Sequence, residues 1–159
     1  MPAELGSIAP DFTLPDQDRR PVTLSEELKA GPVVLAFFPA AFSDTCTSEM
    51  CTLRDTFHPA AGLPGRVIGV SVDTFFALKA FADAQRLRFL LLCDFNKVVI
   101  REYGVFNDDM IGLKGLAKRA VFVIDRDGRI RHREVLDDGR LEPNYENVRD
   151  ALAFLGAQD

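Results

Sequence analysis

The stretch Val33-Val-Leu-Ala-Phe-Phe38 is followed directly by Pro39-Ala-Ala-Phe-Ser-Asp-Thr-Cys46-Thr-Ser-Glu-Met-Cys51. The short apolar run predicts a buried strand, and the residues after it predict the start of a helix. A cysteine in the first turn of a helix holds its sulfur near unpaired backbone N–H groups and the positive end of the helix dipole. Both features favour the thiolate, which is the nucleophilic form. The stretch therefore predicts a strand that leads into a helix with a reactive thiol, Cys46, at its start.

The rest of the sequence predicts strands that alternate with helices. A β-hairpin comes first, three strand–helix units follow, and a second hairpin and a last helix close the chain. The predicted strands are 12–14, 22–24, 33–38, 67–72, 89–92, 120–124 and 129–135, and the predicted helices are 44–57, 75–84, 97–103 and 145–155. This order predicts an α/β fold, a three-layer sandwich with a mixed central sheet and helices on both faces. No boundary is visible, so we expect a single domain over residues 1–159.

The composition argues against several classes of function. The 159 residues carry a net charge of −5 and no basic block, so we expect no nucleic-acid partner. No apolar run approaches the roughly 20 residues of a membrane span, and residues 1–5 do not resemble a signal peptide. His58 and His132 lack the spacing to the cysteines that a zinc site needs, so we expect no metal and no cofactor. The three cysteines are too few for a secreted disulfide scaffold, and we expect a cytoplasmic protein with no membrane partner.

Ionisation alone gives Cys46 only a small advantage as a nucleophile. A free thiol with a pKa of about 8.5 is roughly 3% ionised at pH 7, so full ionisation gains only about 30-fold. Part of this gain is lost because a less basic thiolate is a weaker nucleophile. Efficient chemistry at such a thiol therefore needs hydrogen-bond donors that stabilise the charge developing on the leaving group.

Candidate donors accompany Cys46 in the sequence. Ser43 brings a hydroxyl group to the same loop-to-helix turn, where the first backbone N–H groups of the helix are also unpaired. Arg119 precedes the predicted strand 120–124, and it comes near Cys46 if that strand lies beside strand 33–38. Glu49 follows Cys46 by about one helical turn, where it can hold a guanidinium group through paired hydrogen bonds.

Each of these residues also has a simpler interpretation. Cys46 on the core stripe of a helix can be an apolar filler, and Ser43 can be only a helix cap. Glu49 can be a favourable acid in the first turn of a helix, and Arg119 can be an exposed charge at a strand end. The spacing of the whole set favours a redox site over these separate interpretations.

The motif Pro39-x-x-x-Ser43-x-x-Cys46 resembles the active-site signature of the peroxiredoxins, Pro-x-x-x-Thr/Ser-x-x-Cys. The run Cys46-Thr-Ser-Glu-Met-Cys51 is similar to the Cys-Thr-x-Glu-x-Cys run of the bacterioferritin-comigratory, Q-like subgroup. Further segments match the family at 9–14, 69–73, 91–94, 103–105 and 119–125. The resemblance implies a thioredoxin-like fold and an antioxidant thiol peroxidase that acts on hydrogen peroxide, organic hydroperoxides or peroxynitrite.

The resemblance also implies a role for each residue of the motif. Cys46 would be the peroxidatic cysteine, and Cys51 would be the resolving cysteine. Pro39 would shield the thiol, and Ser43 would donate a hydrogen bond to the peroxide. Arg119 would stabilise the thiolate and the transition state, and Glu49 would orient this arginine.

Two positions depart from the family's pattern. Relatives more often carry threonine where this chain has Ser43, and serine keeps the hydroxyl group but loses the methyl group that restricts its rotamer. Cys93 stands where relatives usually carry serine, and it is either a filler at a strand end or a rival resolving thiol. No cysteine follows Cys93, which argues against resolution by a C-terminal cysteine of a partner subunit.

Cys46 and Cys51 are too far apart to bond while both lie on an intact helix. Residues i and i+5 are about 7.5 Å apart along the axis and about 140° apart around it, which separates their Cα atoms by roughly 8–9 Å. A disulfide needs Cα atoms within about 7 Å. We therefore expect the helix start to unwind once Cys46 has become a sulfenic acid, so that Cys51 can attack. Thioredoxin or a similar dithiol is the expected reductant of the disulfide.

Other functions stay open on the residues alone. A thiol–disulfide oxidoreductase of the same fold would favour Cys-x-x-Cys, which is absent. A peroxide sensor would relay the oxidation of Cys46 to a partner protein, and a plain structural module would only bury its cysteines. Among peroxidases, a one-cysteine mechanism would leave Cys51 without a resolving role. The oligomeric state, monomer or homodimer, is open as well.

Overall fold

The computed structural model describes residues 3–158. Its strands are β1 (Thr13–Pro15), β2 (Pro21–Thr23), β3 (Val33–Phe37), β4 (Arg66–Ser71), β5 (Leu90–Cys93), β6 (Phe106–Asn107), β7 (Leu116–Ala117), β8 (Arg119–Ile124) and β9 (Ile130–Leu136). Its helices are α1 (Leu24–Glu27), α2 (Asp44–Thr56), α3 (Phe75–Gln85), α4 (Val98–Glu102) and α5 (Tyr145–Gln158), and a 3-10 helix spans Pro59–Ala61. Within residues 3–158, no helix has both the length and the apolar character that crossing a membrane requires.

A five-stranded mixed sheet forms the centre of the fold. Its strand order is β5-β4-β3-β8-β9, in which β3, β4 and β5 run parallel and β8 and β9 pair antiparallel to their neighbours. The two small sheets are the N-terminal hairpin β1-β2 and the pair β6-β7. The predicted α/β sandwich with a mixed sheet and an N-terminal hairpin is confirmed.

The central strand β3 is buried on both faces, as its unbroken apolar run predicts. Val33, Leu35 and Phe37 point into one core, which the N-terminal hairpin, α1 and α4 cover. Val34 and Ala36 point into a second core, which α2, α3 and α5 cover. The alternation of side chains along the strand thus builds both layers of the sandwich from one short segment.

Helix α2 begins where the sequence predicts it. Ser43 has extended backbone angles at the N-cap position, and the first helical bond runs from the Thr47 N–H to the Ser43 carbonyl at 2.9 Å. Met50 and Leu53 are fully buried against the sheet, on the same stripe as Cys46. The apolar stripe thereby holds Cys46 inward at the first turn of the helix.

Apart from shifts of one residue at most element ends, and α5, which ends at Gln158 and not at Leu155, the differences from the predicted elements concern short segments. The hairpin strands lie one residue away from their predicted positions, because α1 begins at Leu24 and ends the second strand early. Helix α1, the 3-10 helix and the pair β6-β7 were not predicted, since two to four residues carry no readable periodicity. Strand β5 ends at Cys93 and not at Leu92, which places the third cysteine inside the sheet.

Candidate active site

The sheet register brings Arg119 to the loop that follows β3. Phe37, at the end of β3, lies opposite Ala120 of the antiparallel strand β8. Arg119 is the first residue of β8, so it lies beside the point where the chain leaves β3 through the buried Pro39. Two segments that are about 80 residues apart in sequence therefore meet at one end of the sheet, at the start of α2.

One guanidinium nitrogen of Arg119 contacts both Cys46 and Glu49. Its Nη1 donates to the Cys46 sulfur at 3.3 Å and to Glu49 Oε1 at 2.7 Å. The side chains of Arg119 and Glu49 are 1% and 0% exposed, and Cys46 is 0% exposed. The structure thus brings three sequence-predicted residues into direct contact, and water does not screen their charges.

Burial and charge act against each other within this cluster. Burial raises the pKa of Glu49 to about 7, although the charge of Arg119 and its hydrogen bond lower it. Burial lowers the pKa of Arg119, but Glu49 and Cys46 outweigh that effect, and its pKa lies above the ordinary value. Arg119 is therefore a permanent cation between two acidic groups.

A backbone carbonyl group anchors Arg119 from the other side. Its Nη2 donates to the Gly139 carbonyl at 3.0 Å. A Cβ atom at position 139 would lie 2.8 Å from the methyl carbon of Met110, whose flexible side chain would have to move aside. The sequence carries no signal for this contact, because every residue type has a backbone carbonyl group.

The Ser43 hydroxyl group lies at the mouth of the site and not on the helix. It donates to the Ala40 carbonyl at 2.9 Å, and it does not cap α2 through its side chain. Ser43 is exposed, in contrast to the buried Cys46. The hydroxyl group is thus held in the loop, where a rotation about one bond would free it for a ligand.

The loop before α2 is fixed by an acid that sequence reasoning missed. The Ala41 N–H donates to Asp73 Oδ2 at 2.8 Å, and the buried Ser71 hydroxyl group donates to the same oxygen at 2.7 Å. Next to this bond, Phe42 adopts a left-handed φ of 70°, which is strained for an aromatic residue. The matching segment 69–73 is the signal that could have pointed to Asp73.

A cavity of about 690 Å³ opens at this end of the sheet. Pro39, Ser43, Thr45 and Arg119 line one part of it. An apolar part comes from the unpredicted β6-β7 region, with Met110, Ile111, Leu113 and Leu116. The lining also includes the polar and charged residues Asn107, Asp109, Asp137, Asp138 and Arg140. Cys46 does not line the cavity and is fully buried, so the sulfur is shielded from bulk water in this state.

The three cysteines are free thiols in this state. Cys51 is half-buried, and its sulfur contacts Gln85 Oε1 at 3.5 Å, at the end of α3. Helix α2 runs unbroken through both Cys46 and Cys51. Cys93 is 7% exposed and belongs to the same apolar core as Cys46, at the end of β5. Among the described residues, no group of three or more His, Cys, Asp or Glu side chains is arranged to hold a metal ion.

The fold and the site define a class of protein before any relative is considered. An α/β sandwich presents one buried thiol at a helix start, paired with an arginine that lines an open cavity. This arrangement is that of a thioredoxin-like protein with a buried cysteine beside an arginine.

Comparison with known proteins names the family. The AhpC/TSA family matches residues 5–133. Over 155 residues, the chain is 37% identical to alkyl hydroperoxide reductase E of Mycobacterium tuberculosis, covering 96% of this chain and 98% of that protein. It is 34% identical to peroxiredoxin Bcp of Escherichia coli, with 95% and 96% covered. The chain therefore belongs to the AhpC/TSA family, and within it to the peroxiredoxins of the Bcp and Q type.

The plant relatives are longer proteins. The chloroplastic peroxiredoxin Q of Triticum aestivum is 40% identical over 127 residues, which cover 80% of this chain but only 57% of the plant protein. The chain spans about three fifths to two thirds of the length of the chloroplastic relatives that it matches.

Solved structures confirm the thioredoxin-like fold. Peroxidoxin BcpB of Mycobacterium tuberculosis superposes with a TM-score of 0.83 at 33% identity and covers 99% of both chains. A peroxiredoxin-like protein from Aquifex aeolicus gives a TM-score of 0.85 at 24% identity, with 98% of this chain and 89% of that chain covered. The second likeness concerns the fold alone.

Proposed function

We propose that the chain is a thiol-dependent peroxidase that reduces hydrogen peroxide and organic hydroperoxides at Cys46. The observation that carries the proposal is the contact of the Arg119 guanidinium group with the Cys46 sulfur, inside a buried helix start that adjoins an open cavity. The similarity to an alkyl hydroperoxide reductase and a peroxiredoxin of bacteria supports this activity and an antioxidant role. The apolar wall of the cavity suits the carbon chain of an organic hydroperoxide.

In the first step, the Cys46 thiolate attacks the terminal oxygen of the peroxide. The S–O bond forms as the O–O bond breaks, so the sulfur is oxidised to a sulfenic acid and the other oxygen leaves as an alkoxide or hydroxide. Arg119 stabilises the charge that develops on this leaving oxygen, together with the Ser43 hydroxyl group once it has rotated away from the Ala40 carbonyl. Pro39, which lines the cavity and is buried, shields the thiolate from water.

In the second step, Cys51 attacks the sulfenic acid and releases water. Because α2 is continuous between the two cysteines, its first turns must unwind before the sulfurs can meet. Unwinding breaks the contacts of Arg119 with Cys46 and Glu49, so the peroxide-reactive site exists only in the reduced, folded state. A dithiol protein such as thioredoxin then reduces the intramolecular disulfide. The cytoplasm, where such dithiols are kept reduced, is the compartment that we propose.

Mass spectrometry after one equivalent of peroxide tests this cycle. We expect the wild-type protein and Cys93→Ser to form a disulfide between Cys46 and Cys51, and Cys51→Ser to stop at the sulfenic acid. A disulfide between Cys46 and Cys93 would reassign the resolving thiol. A sulfenic acid that persists in the wild-type protein would indicate a one-cysteine mechanism, and peroxide-driven transfer of the oxidation to another protein without turnover would indicate a sensor. Light scattering of the reduced and oxidised protein decides between monomer and homodimer.

A further inference from the structure

Three buried ionisable side chains share one hydrogen-bonding nitrogen in the site. Arg119 Nη1 bonds Cys46 at 3.3 Å and Glu49 at 2.7 Å, and all three side chains are at most 1% exposed. A thiolate and a carboxylate together carry two negative charges, whereas Arg119 supplies one positive charge. A buried cluster with an uncompensated charge is strongly disfavoured. The cluster is neutral when Cys46 and Glu49 together hold one proton.

The surroundings of Glu49 favour its protonated form. Glu142 and Glu134 act on it as like charges, and the neighbouring phenol of Tyr145 adds no positive charge. Arg119 is the opposing positive charge, and it is shared with Cys46. Glu49 Oε2 is buried and has no hydrogen-bond partner, so a full carboxylate would be poorly solvated. The raised pKa of Glu49, about 7, agrees with this geometry.

We propose that Glu49 holds a proton while Cys46 is a thiolate and gives up that proton when Cys46 is oxidised. This inference rests on the peroxidase function proposed above. The balanced step converts thiolate, Glu49 carboxylic acid and ROOH into sulfenic acid, Glu49 carboxylate and ROH. The sulfur loses two electrons to the O–O bond, and the leaving oxygen gains the proton that the Glu49 side chain loses. Arg119 then neutralises Glu49 in place of the thiolate, so the cluster stays neutral before and after the reaction.

Glu49 then has a second role in addition to orienting the Arg119 guanidinium group. A residue that only orients the guanidinium group keeps one protonation state throughout the cycle. Glu49 instead changes charge in step with the sulfur, because a sulfenic acid is neutral and no longer competes for Arg119. The charge on Glu49 therefore depends on the redox state of Cys46, because both side chains share the Arg119 cation.

Difference infrared spectroscopy of the reduced and peroxide-treated protein tests the proposal directly. Cys51→Ser/Cys93→Ser is the background, so that the reaction stops at the sulfenic acid. Near neutral pH we expect the C=O band of a protonated carboxyl group to disappear on oxidation, and we expect no such loss with Glu49→Gln. A pH-indicator dye in weakly buffered solution should show almost no proton uptake per peroxide in the background protein. With Glu49→Gln it should show about one, because the leaving oxygen then draws its proton from water.

Two further variants control for indirect effects. Asp150→Asn removes an exposed carboxylate on α5 that does not act on Glu49, and it should retain the infrared change and the proton balance. Cys46→Ser removes the anion that competes with Glu49 for Arg119, so a larger fraction of Glu49 should be ionised. The infrared band of its protonated carboxyl group should then be weaker at neutral pH than in the reduced background protein. This comparison does not require Glu49→Gln to fold well. Peroxide consumption with no loss of a carboxyl band, or with one proton taken up by the background protein, would overturn the proposal alone. No peroxide consumption at all would overturn the proposed function together with it.

Discussion

Replacing Arg119 by methionine should stop peroxide reduction while leaving most of the fold intact. The change removes the guanidinium group whose Nη1 contacts the Cys46 sulfur and which, in the proposed reaction, stabilises the charge developing on the leaving oxygen. Loss of one such preorganised donor lowers catalytic rates by about 10²–10³-fold, which corresponds to about 3–4 kcal/mol of transition-state stabilisation. We expect the second-order rate constant of Cys46 with peroxide to fall by at least this factor.

The same change leaves Glu49 buried without its cation. Removing one partner of a buried ion pair typically costs about 3–5 kcal/mol. The loss should be smaller here, because the pKa of Glu49 is already about 7 and rises further without Arg119, so the group becomes neutral at the pH of the assay. The double variant Arg119→Met/Glu49→Gln should regain stability against urea without regaining peroxide reactivity.

The assay must follow the sulfur itself, since the chain has no tryptophan to report the reaction by fluorescence. Quenched-flow mixing with peroxide, followed by mass spectrometry of the sulfenic acid, gives the rate constant. Arg149→Met, an exposed arginine on α5, is the matched control and should react like the wild-type protein. A folded Arg119→Met variant that reacts at the wild-type rate would refute the role of this contact.

Three further outcomes follow from the structure. Cys51→Ser should lose turnover with a dithiol reductant. Under excess peroxide it should accumulate sulfinic acid, detected as a gain of two oxygen atoms by mass spectrometry. Turnover equal to that of the wild-type protein would exclude Cys51 as the resolving thiol. Asp73→Ala removes the acceptor of the Ala41 N–H, so it should lower the free energy of unfolding by about 1–3 kcal/mol. It should also slow the reaction of Cys46 with peroxide. The control Asp150→Ala, on the exposed face of α5, should have neither effect. Because the folded-state pKa of Glu49 is raised from 4.5 to about 7, its contribution to stability is present at low pH and lost as pH rises through that window. The free energy of unfolding of the wild-type protein minus that of Glu49→Gln should therefore fall by about 3 kcal/mol between pH 4.5 and 7. A difference that does not change with pH, measured by urea titration, would contradict the burial argument.

The segment from β3 to α2 could be predicted because its signals are local. The apolar run, the polar turn and the stripe of Cys46, Met50 and Leu53 each occupy a few consecutive residues, and the structure has the strand and helix at the predicted places. The position of Arg119 near Cys46 could be predicted for a different reason. The apolar strand after Arg119 is recognisable in the sequence, and the prediction then needed only one long-range assumption, that this strand lies beside β3.

Some parts of the site could not be predicted, because they depend on long-range contacts that no particular residue type indicates. The Gly139 carbonyl group that anchors Arg119 belongs to a loop, and any residue there would present a carbonyl group. Asp73 holds the Ala41 N–H from a neighbouring strand end, 32 positions away. The apolar wall around Met110 and Ile111 comes from a loop between strands of two residues each, which are too short for periodicity to reveal.

The most direct test of the central claim is the consumption of peroxide in the presence of a dithiol reductant, measured for the wild-type protein and for Cys46→Ser. Arg119 pairs with Cys46 and not with the other two thiols in the described structure. We therefore expect steady turnover by the wild-type protein and none above background by Cys46→Ser. Full turnover by Cys46→Ser would show that the reactive thiol lies elsewhere and would contradict the account.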